Sequence, residues 1–334
     1  MGVRATSQAN FDSQSGSFSN NFASETGGDF KGEGIAATGG TKASPGDGYT
    51  YHLFTSPGLF TITGAGEAGT NEIQYLMVAG GGGGGYDKGG GGGAGGFVPG
   101  TVTAVAGAYP VILGPGGGGS TAGGSRGTNG GETAFGGWPG PAVPINTVGG
   151  GGGGGSSNSP AQIGGTGSDY GSGGGAWYNN SGGVMGPQPV PGIASASPGN
   201  LGTSPIGNGG AGGGAGGSPG PGQPRSTSND GKTLPWIPAT YGFAQTNEPG
   251  SGGGGYFGGG GAGGGNTVRP PAGTRGHAGA GMGLGDPSPS GSTLKNAMTN
   301  SGSGGGGGAG DGPDTKRRGG QGGPGVFLCR YPVG

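Results

Sequence analysis

Aromatic side chains on short inserts are the residues of this sequence best suited to recognising another molecule. The inserts interrupt a long glycine-rich stretch, as at residues 176–180 and 234–238. Tryptophan and tyrosine dominate binding hot spots, because their rigid rings bury a large area and also carry a hydrogen-bonding group. Packing over the ends of the glycine segments is an equally good role for such rings. The predicted receptor-binding residues are Trp138, Trp177, Tyr178, Asn179, Trp236 and Tyr241.

Residues of the kinds that perform catalysis or hold metals are few and scattered. The 15 carboxylates occur singly, His52 lies in a predicted strand and His277 lies in a glycine-rich loop. The lone Cys329 can form no intrachain disulfide, and no cysteine–histidine set has the spacing of a zinc site. The sequence therefore predicts no enzyme, no catalytic residue, no metal and no cofactor.

The charge balance and the apolar pattern limit the classes of partner. There are 14 Lys and Arg against 15 Asp and Glu, so the net charge of −1 leaves no basic footprint for nucleic acid. The densest apolar stretch, residues 75–79, is far shorter than the roughly 20 residues that a membrane-spanning helix needs. We expect neither nucleic-acid binding nor membrane insertion.

Glycine makes up 107 of the 334 residues and is concentrated in runs. Because glycine has no Cβ, such a run is either a flexible linker or a segment held by backbone hydrogen bonds to its neighbours. Collagen is excluded, since the runs break its strict repeat of glycine at every third residue. Ordinary inserts between the runs favour a bundle of polyglycine II helices, the extended threefold helix shared with polyproline. The longest runs span residues 80–85, 89–93, 149–155 and 304–308.

Strand signals lie toward the two ends of the chain. β-branched and aromatic residues alternate with polar ones over residues 49–114 and return near the C-terminus, and no segment has a helical period. We predict a mainly β fold: a small antiparallel β-sandwich of residues 49–114, closed by a C-terminal strand within residues 325–334, with no substantial α-helix. The polyglycine II bundle and its aromatic loops occupy residues 115–324. Residues 1–48 are predicted to be an extended attachment arm, with a disordered tail as the alternative.

Several stretches resemble a known family. Residues 73–85, 95–97 and 108–114 resemble the glycine-rich domain of bacteriophage tail and fibre proteins, especially those of marine cyanobacterial phages, and residues 322–332 are similar to that domain's usual ending. The chain is also similar to the polyglycine sandwich of T-even fibre-tip adhesins and, more distantly, to the glycine-rich domain of anaplastic lymphoma kinase. The resemblance covers about residues 50–334. It implies a virion location and a polyglycine bundle whose end loops contact the host receptor, but it carries over no individual binding residue.

The leading hypothesis is a non-enzymatic bacteriophage virion protein, a tail-fibre or fibre-tip adhesin that binds a bacterial surface glycan or protein. Residues 1–48 would attach it to other virion structural proteins. One alternative is a purely structural or decorating fibre of the capsid, neck or tail, without a receptor site. Another is a glycine-rich extracellular matrix protein. A homotrimer, common among fibres, and a monomer are both compatible with the sequence.

Overall fold

A computed structural model gives the fold of the chain. Within the described residues there are two antiparallel sheets of five strands each and one four-residue helix, α1 (Asp314–Arg317). The predicted mainly β fold without substantial α-helix is confirmed. The described residues are 34–136, 145–156, 171–177, 202, 209–216, 230–243, 254–265, 280–281, 295–310 and 313–334.

All eight strand pairings in the described residues are antiparallel, and four of them join strands that are consecutive along the chain. In chain order they are β1 (Ile35–Thr38), β2 (Thr41–Ala43), β3 (Tyr49–Phe54), β4 (Gly58–Ala65), β5 (Glu72–Val78), β6 (Phe97–Thr103), β7 (Gly107–Ile112), β8 (Thr133–Phe135), β9 (Ile145–Thr147) and β10 (Val326–Pro332). Sheet A has the order β1-β4-β7-β8-β9, and sheet B has the order β2-β3-β10-β5-β6. The two sheets pack face to face as a sandwich.

The last strand, β10, lies in the middle of sheet B. It pairs antiparallel with β3 on one side and with β5 on the other, so that Cys329 sits opposite both His52 and Tyr75. Both partners come from far earlier in the chain. The predicted closure of the sandwich by the C-terminal strand is confirmed, and the strand is central, so sheet B cannot form without it.

Aromatic rings fill the space between the two sheets. Alternate residues of a strand point to the same face, and in β7 the inward residues are Tyr109 and Val111. Phe135 from sheet A and Phe327 from sheet B meet with their ring centroids 4.6 Å apart. Apolar burial of this kind contributes roughly 25 cal/mol per Å², so the sandwich supplies the hydrophobic stabilisation that glycine segments cannot.

A second apolar cluster covers the outer face of sheet B. Residues 230–243 lie across this face and are tied to a neighbouring segment by the β-bridge between Lys232 and Phe257. The cluster joins Leu76 and Leu328 of the sheet to Ile237 and Phe257. Sheet B is therefore buried on both faces, which explains the unbroken apolar run in β5, since a strand covered on both sides needs no polar alternation.

Residues 80–85 continue from the end of β5 as a polyglycine II helix with six neighbouring segments. Its N–H groups donate to the carbonyls of three antiparallel neighbours, and its carbonyls accept from three parallel neighbours, at 2.8–3.0 Å. Each neighbour is contacted again three residues later, which is the repeat of the threefold helix. Every backbone polar group of the run is thereby paired in the interior. The antiparallel neighbours are residues 90–93, 128–131 and 320–323, and the parallel ones are residues 117–120, 150–153 and 305–308.

The bundle requires glycine because of space, not because of backbone conformation. Residues 80–85 have no positive φ, so alanine could adopt the same backbone. A Cβ at any of these positions would nevertheless come closer than 3.0 Å to a backbone carbonyl of a neighbouring helix. Glycine is not required at every position of the outer segments of the bundle. Over residues 114–120 an exposed position recurs every three residues. A Cβ on the exposed Gly118 would meet only Thr128 Oγ1, at 3.6 Å.

The boundaries of the predicted regions need three corrections. β1 and β2 belong to the sandwich, so the predicted arm was extended too far, and residues 1–33 lie outside the described residues. Residues 80–96, between β5 and β6, belong to the bundle although they fall within the predicted sandwich. β8 and β9 belong to sheet A although they fall within the predicted bundle. Strands of only three or four residues carry too little alternation to be detected from sequence.

We expect Gly83→Ala to destabilise the protein severely and Gly118→Ala to leave it nearly unchanged. The Cβ at position 83 would press on the Gly118 carbonyl, and neither helix can shift without breaking hydrogen bonds to its other neighbours. The free energy of unfolding should fall by about 3 kcal/mol or more for Gly83→Ala, and change by no more than about 0.5 kcal/mol for Gly118→Ala. Urea and thermal unfolding measure both, and equal losses would contradict the packing argument.

His52 is fully buried in β3 and is hydrogen-bonded at both ring nitrogens. Nδ1 donates to the Gly39 carbonyl oxygen at 2.6 Å, so Nε2 accepts from the Tyr331 hydroxyl at 3.0 Å. Burial lowers the pKa of His52; the Gly39 carbonyl opposes this shift, and the positive charge of Lys42 adds to it. The fold therefore favours the neutral ring.

Stability should decline as the pH falls below about 6.5, the ordinary pKa of histidine. In that range the unfolded chain binds a proton at His52 that the folded chain does not bind, so protonation favours unfolding. Imidazole NMR titration of a His277→Gln variant isolates the His52 signal, and urea unfolding from pH 7.5 to 5.0 gives the loss of stability. A His52 pKa at or above 6.5 in the folded protein would overturn the expectation.

Candidate functional site

The structure describes three of the six predicted binding residues. Trp138, Tyr178 and Asn179 lie outside the described residues. The other three lie on two different surfaces of the molecule.

Trp177 lies at the far end of the glycine bundle, whereas Trp236 and Tyr241 pack on the outer face of sheet B. Residues 80–87 lead from the sheet to the far end, and at about 3.1 Å per residue they span roughly 20 Å. The expectation that the inserts lie at the bundle ends therefore fits Trp177 but is wrong for Trp236 and Tyr241. Apolar side chains on the outer face of sheet B provide the better packing surface for those two rings.

The far end of the bundle, which we call the tip, is built around the turn of residues 86–89. Asp87 and Lys88 have φ values of 49° and 52°. Positive φ at both central positions is the pattern of a type I′ turn, where asparagine and glycine are preferred. The left-handed conformation costs a residue with a Cβ about 1–2 kcal/mol. Because such strain is concentrated at functional positions, the turn is a candidate recognition element.

Charged and aromatic groups fasten the tip turn to α1. Arg317 Nη2 forms an ion pair with Asp87 Oδ2 at 2.5 Å, and the Arg317 guanidinium lies 5.3 Å from the centroid of the Tyr86 ring. The Tyr86 hydroxyl donates to Asp314 Oδ1 at 2.7 Å. This hydrogen bond, together with that from Arg318, lowers the pKa of the Asp314 carboxyl. The turn and the helix therefore form one connected unit.

Trp177 packs against the same turn. Its indole Nε1–H donates to the carbonyl oxygen of Asp87 at 2.7 Å, and its side chain is half-buried. One edge of the indole thus holds the strained turn, and the side chain is only partly buried. Packing and recognition are compatible roles for this residue.

A buried lysine supports the tip from within. Lys295 Nζ donates to the carbonyl oxygens of Thr315 and Arg318 at 2.9 and 2.7 Å. Burial lowers the pKa of Lys295 to about 8, and repulsion from the nearby Arg318 charge adds to the shift. Cations are favourable at the carbonyls that end a helix, so Lys295 serves as an internal tie between the bundle and α1.

Trp236 and Tyr241 belong to a group that we call the sheet-face cluster, which consists of Tyr49, Tyr51, Trp236, Tyr241 and Arg330. Tyr241 stacks on Tyr51 with ring centroids 5.4 Å apart. The Arg330 guanidinium lies 3.8 Å from the centroid of Tyr49 and 5.1 Å from that of Trp236. Burial raises the pKa of both Tyr51 and Tyr241. These contacts fasten residues 230–243 to sheet B while leaving the outer rings half-exposed.

Sequence reasoning missed the polar partners on both surfaces. Residues 86–88 interrupt two adjacent glycine runs, and that interruption was a readable signal for a turn. Arg317 and Arg330 gave no comparable signal, because their partners are remote: 230 positions separate Arg317 from Asp87. Only the folded chain brings these charges and rings together.

The described part of the chain contains no group of three or more His, Cys, Asp and Glu residues placed to hold a metal ion. In the same residues no helix has the length and apolar character needed to cross a membrane. The two surfaces offer aromatic faces, guanidinium groups and carboxylates, which are groups suited to non-covalent recognition.

Two sheets closed by the last strand, with glycine helices inserted between the strands, define a glycine-rich β protein. The chain belongs to the glycine-rich domain family, whose model matches residues 55–332. The match runs from the turn before β4 to the end of β10 and includes every described glycine helix. A search of curated proteins finds no match to the chain.

Strain in the tip turn can be measured with two substitutions at one position. Lys88→Gly and Lys88→Ala both remove the lysine side chain beyond Cβ, but only glycine relaxes the positive φ of 52°. We expect Lys88→Gly to be more stable than Lys88→Ala by about 1 kcal/mol. Urea unfolding of the two variants gives this difference directly. Equal stability would show that the turn adapts without strain.

Proposed function

We propose that this protein is a non-enzymatic component of a bacteriophage particle, a tail-fibre or fibre-tip adhesin whose tip contacts the host cell surface. The resemblance of its strand segments to phage tail and fibre proteins supports the phage assignment, and its membership of the glycine-rich domain family is consistent with it. The particle is its site of action, and a surface glycan or protein of the host is its receptor.

The observation that carries the proposal is that the N-terminal end of the sandwich and the tip of the bundle lie at opposite ends of the described structure. β10 begins at the bundle with Val326 and runs away from it, and the backbone of Gly334 lies against that of Gly34. Gly34 is thus at the end of the sandwich opposite the tip. Residues 1–33 precede it, so attachment to other virion proteins through them leaves the tip pointing outward.

The mechanical character of the bundle also supports the proposal. Each buried helix is hydrogen-bonded to several neighbours along its length, so the bundle is a stiff spacer of roughly 20 Å. At its end it presents the strained turn with Asp87 and Lys88, and the partly exposed Trp177. A rigid, preorganised contact surface loses little entropy on binding, which suits an element that must capture a receptor.

Adsorption of particles that carry Trp177→Ala tests the role of the tip. Removing a partly exposed tryptophan from a recognition surface typically weakens binding by about 2 kcal/mol or more, so we expect adsorption to fall by at least about tenfold. Incorporation of the variant into particles should be normal, because Trp177 lies at the tip and residues 1–33 join the described structure at Gly34, at the opposite end of the sandwich. The measurements are the adsorption rate and the protein content of purified particles.

Leu59→Ser is the matched control, since Leu59 is 56% exposed on the outer face of sheet A, away from the tip. It should leave adsorption unchanged. Trp177→Phe keeps a ring at the tip but loses the hydrogen bond to the Asp87 carbonyl. It therefore distinguishes contact of the ring with the receptor from support of the turn by the indole N–H. Normal adsorption of correctly assembled Trp177→Ala particles would refute the tip as receptor site and favour a purely structural or decorating fibre.

A further inference from the structure

Arg330 occupies an unusual position on the outer face of sheet B. Its guanidinium is held by the Tyr49 and Trp236 rings of the sheet-face cluster. Nε donates to Gln74 Oε1 at 2.9 Å, and Nη1 donates to the Tyr51 hydroxyl at 3.2 Å. An arginine fixed in this way has lost most of its side-chain freedom before any ligand arrives, which lowers the entropic cost of binding.

The fixed guanidinium keeps unused hydrogen-bonding capacity. Of its N–H groups, those on Nη2 donate no hydrogen bond within the described residues, and no carboxylate there forms an ion pair with Arg330. Asp47 lies nearby, but its carboxylate accepts from the Tyr51 hydroxyl at 2.6 Å and from the Tyr49 N–H at 3.1 Å. Arg330 is only half-buried, so its free edge is open to an external anion.

Ring surfaces and further polar groups surround that edge. Trp236 and Tyr241 are half-exposed, and the exposed Asp47 carboxylate has lone pairs left to accept hydroxyl groups. A planar guanidinium matches a carboxylate, and aromatic faces match the apolar C–H face of a sugar ring. We propose that the sheet-face cluster binds a sugar that carries a carboxylate, with the carboxylate on Arg330 and the ring against Trp236 and Tyr241.

This inference goes beyond the proposed function, because the site lies on the sandwich, roughly 20 Å or more from the tip. Binding of an acidic sugar by the purified protein does not require that the tip recognise a cell. The two proposals can therefore fail separately: adsorption tests the tip, and a binding measurement on the isolated chain tests the sheet-face cluster.

Calorimetric titration of the purified full chain with three small probes tests the ligand class. Glucuronate carries both the ring and the carboxylate, glucose carries the ring alone, and acetate carries the carboxylate alone. We expect glucuronate to bind at least about tenfold more tightly than either control, and the affinity to fall with added salt. Acetate or glucose binding as tightly as glucuronate, or no binding of glucuronate, would overturn the proposal.

Substitutions then assign the binding to Arg330. Arg330→Lys keeps the charge and the stem beside the rings but loses the planar fork, so glucuronate should bind about tenfold more weakly. Arg330→Gln should abolish binding. Arg318→Gln removes an equal charge from the exposed tip and should leave the affinity unchanged. If Arg330→Gln proves unfolded by its thermal transition, Arg330→Lys decides alone, and wild-type affinity in that variant would refute the assignment.

Discussion

Direct packing of backbone against backbone is the constraint on which the rest of this structure depends. In the interior of the bundle each peptide unit donates one hydrogen bond and accepts another across helices, and at buried glycines such as those of residues 80–85 the space that this leaves excludes a Cβ. Such packing buries almost no side chain, so it gains little from the hydrophobic effect. The bundle therefore depends on a neighbouring part of the fold that is stabilised by the hydrophobic effect, and the sandwich is that part. Residues 80–85 extend β5 and residues 89–96 lead into β6, so the helices are anchored by strands with an aromatic core.

The same constraint separates scaffold from surface. Where helices contact each other the chain is glycine with a few alanines and serines, and ordinary side chains are left to the turns, the rim and the segment over sheet B. The tip and the sheet-face cluster show two outcomes of this division. At the tip, charges and a tyrosine brace a strained turn. On sheet B, rings hold an arginine whose donors are only partly used.

The sequence predicted the mainly β fold, the closing C-terminal strand and the glycine helices, because each has a local signal: two-residue alternation, or runs that lack side chains. It could not place boundaries such as that before β1, where the four residues of the strand pair with β4 through contacts that no local pattern records. Nor could it predict that Trp236 would lie beside Arg330, since that neighbourhood depends on how a distant segment crosses sheet B. Ala94 shows a further limit: its side chain is fully buried in the apolar cluster over sheet B, whereas Gly92 lies against neighbouring glycine segments, and nothing in the sequence distinguishes the two positions.

The threefold repeat of the helices has a consequence for how such a chain can change in length. Residues 80–85 contact each neighbouring segment at every third position, so one added or deleted glycine turns the rest of the run by about a third of a revolution. Every N–H beyond that point would then face a different neighbour. Within buried runs, insertions and deletions should therefore accumulate in multiples of three, whereas the turns that join the helices can change by any number of residues. Among relatives, the lengths of the buried glycine runs would differ in steps of three residues, whereas the lengths of the turns at the bundle ends would differ by any number.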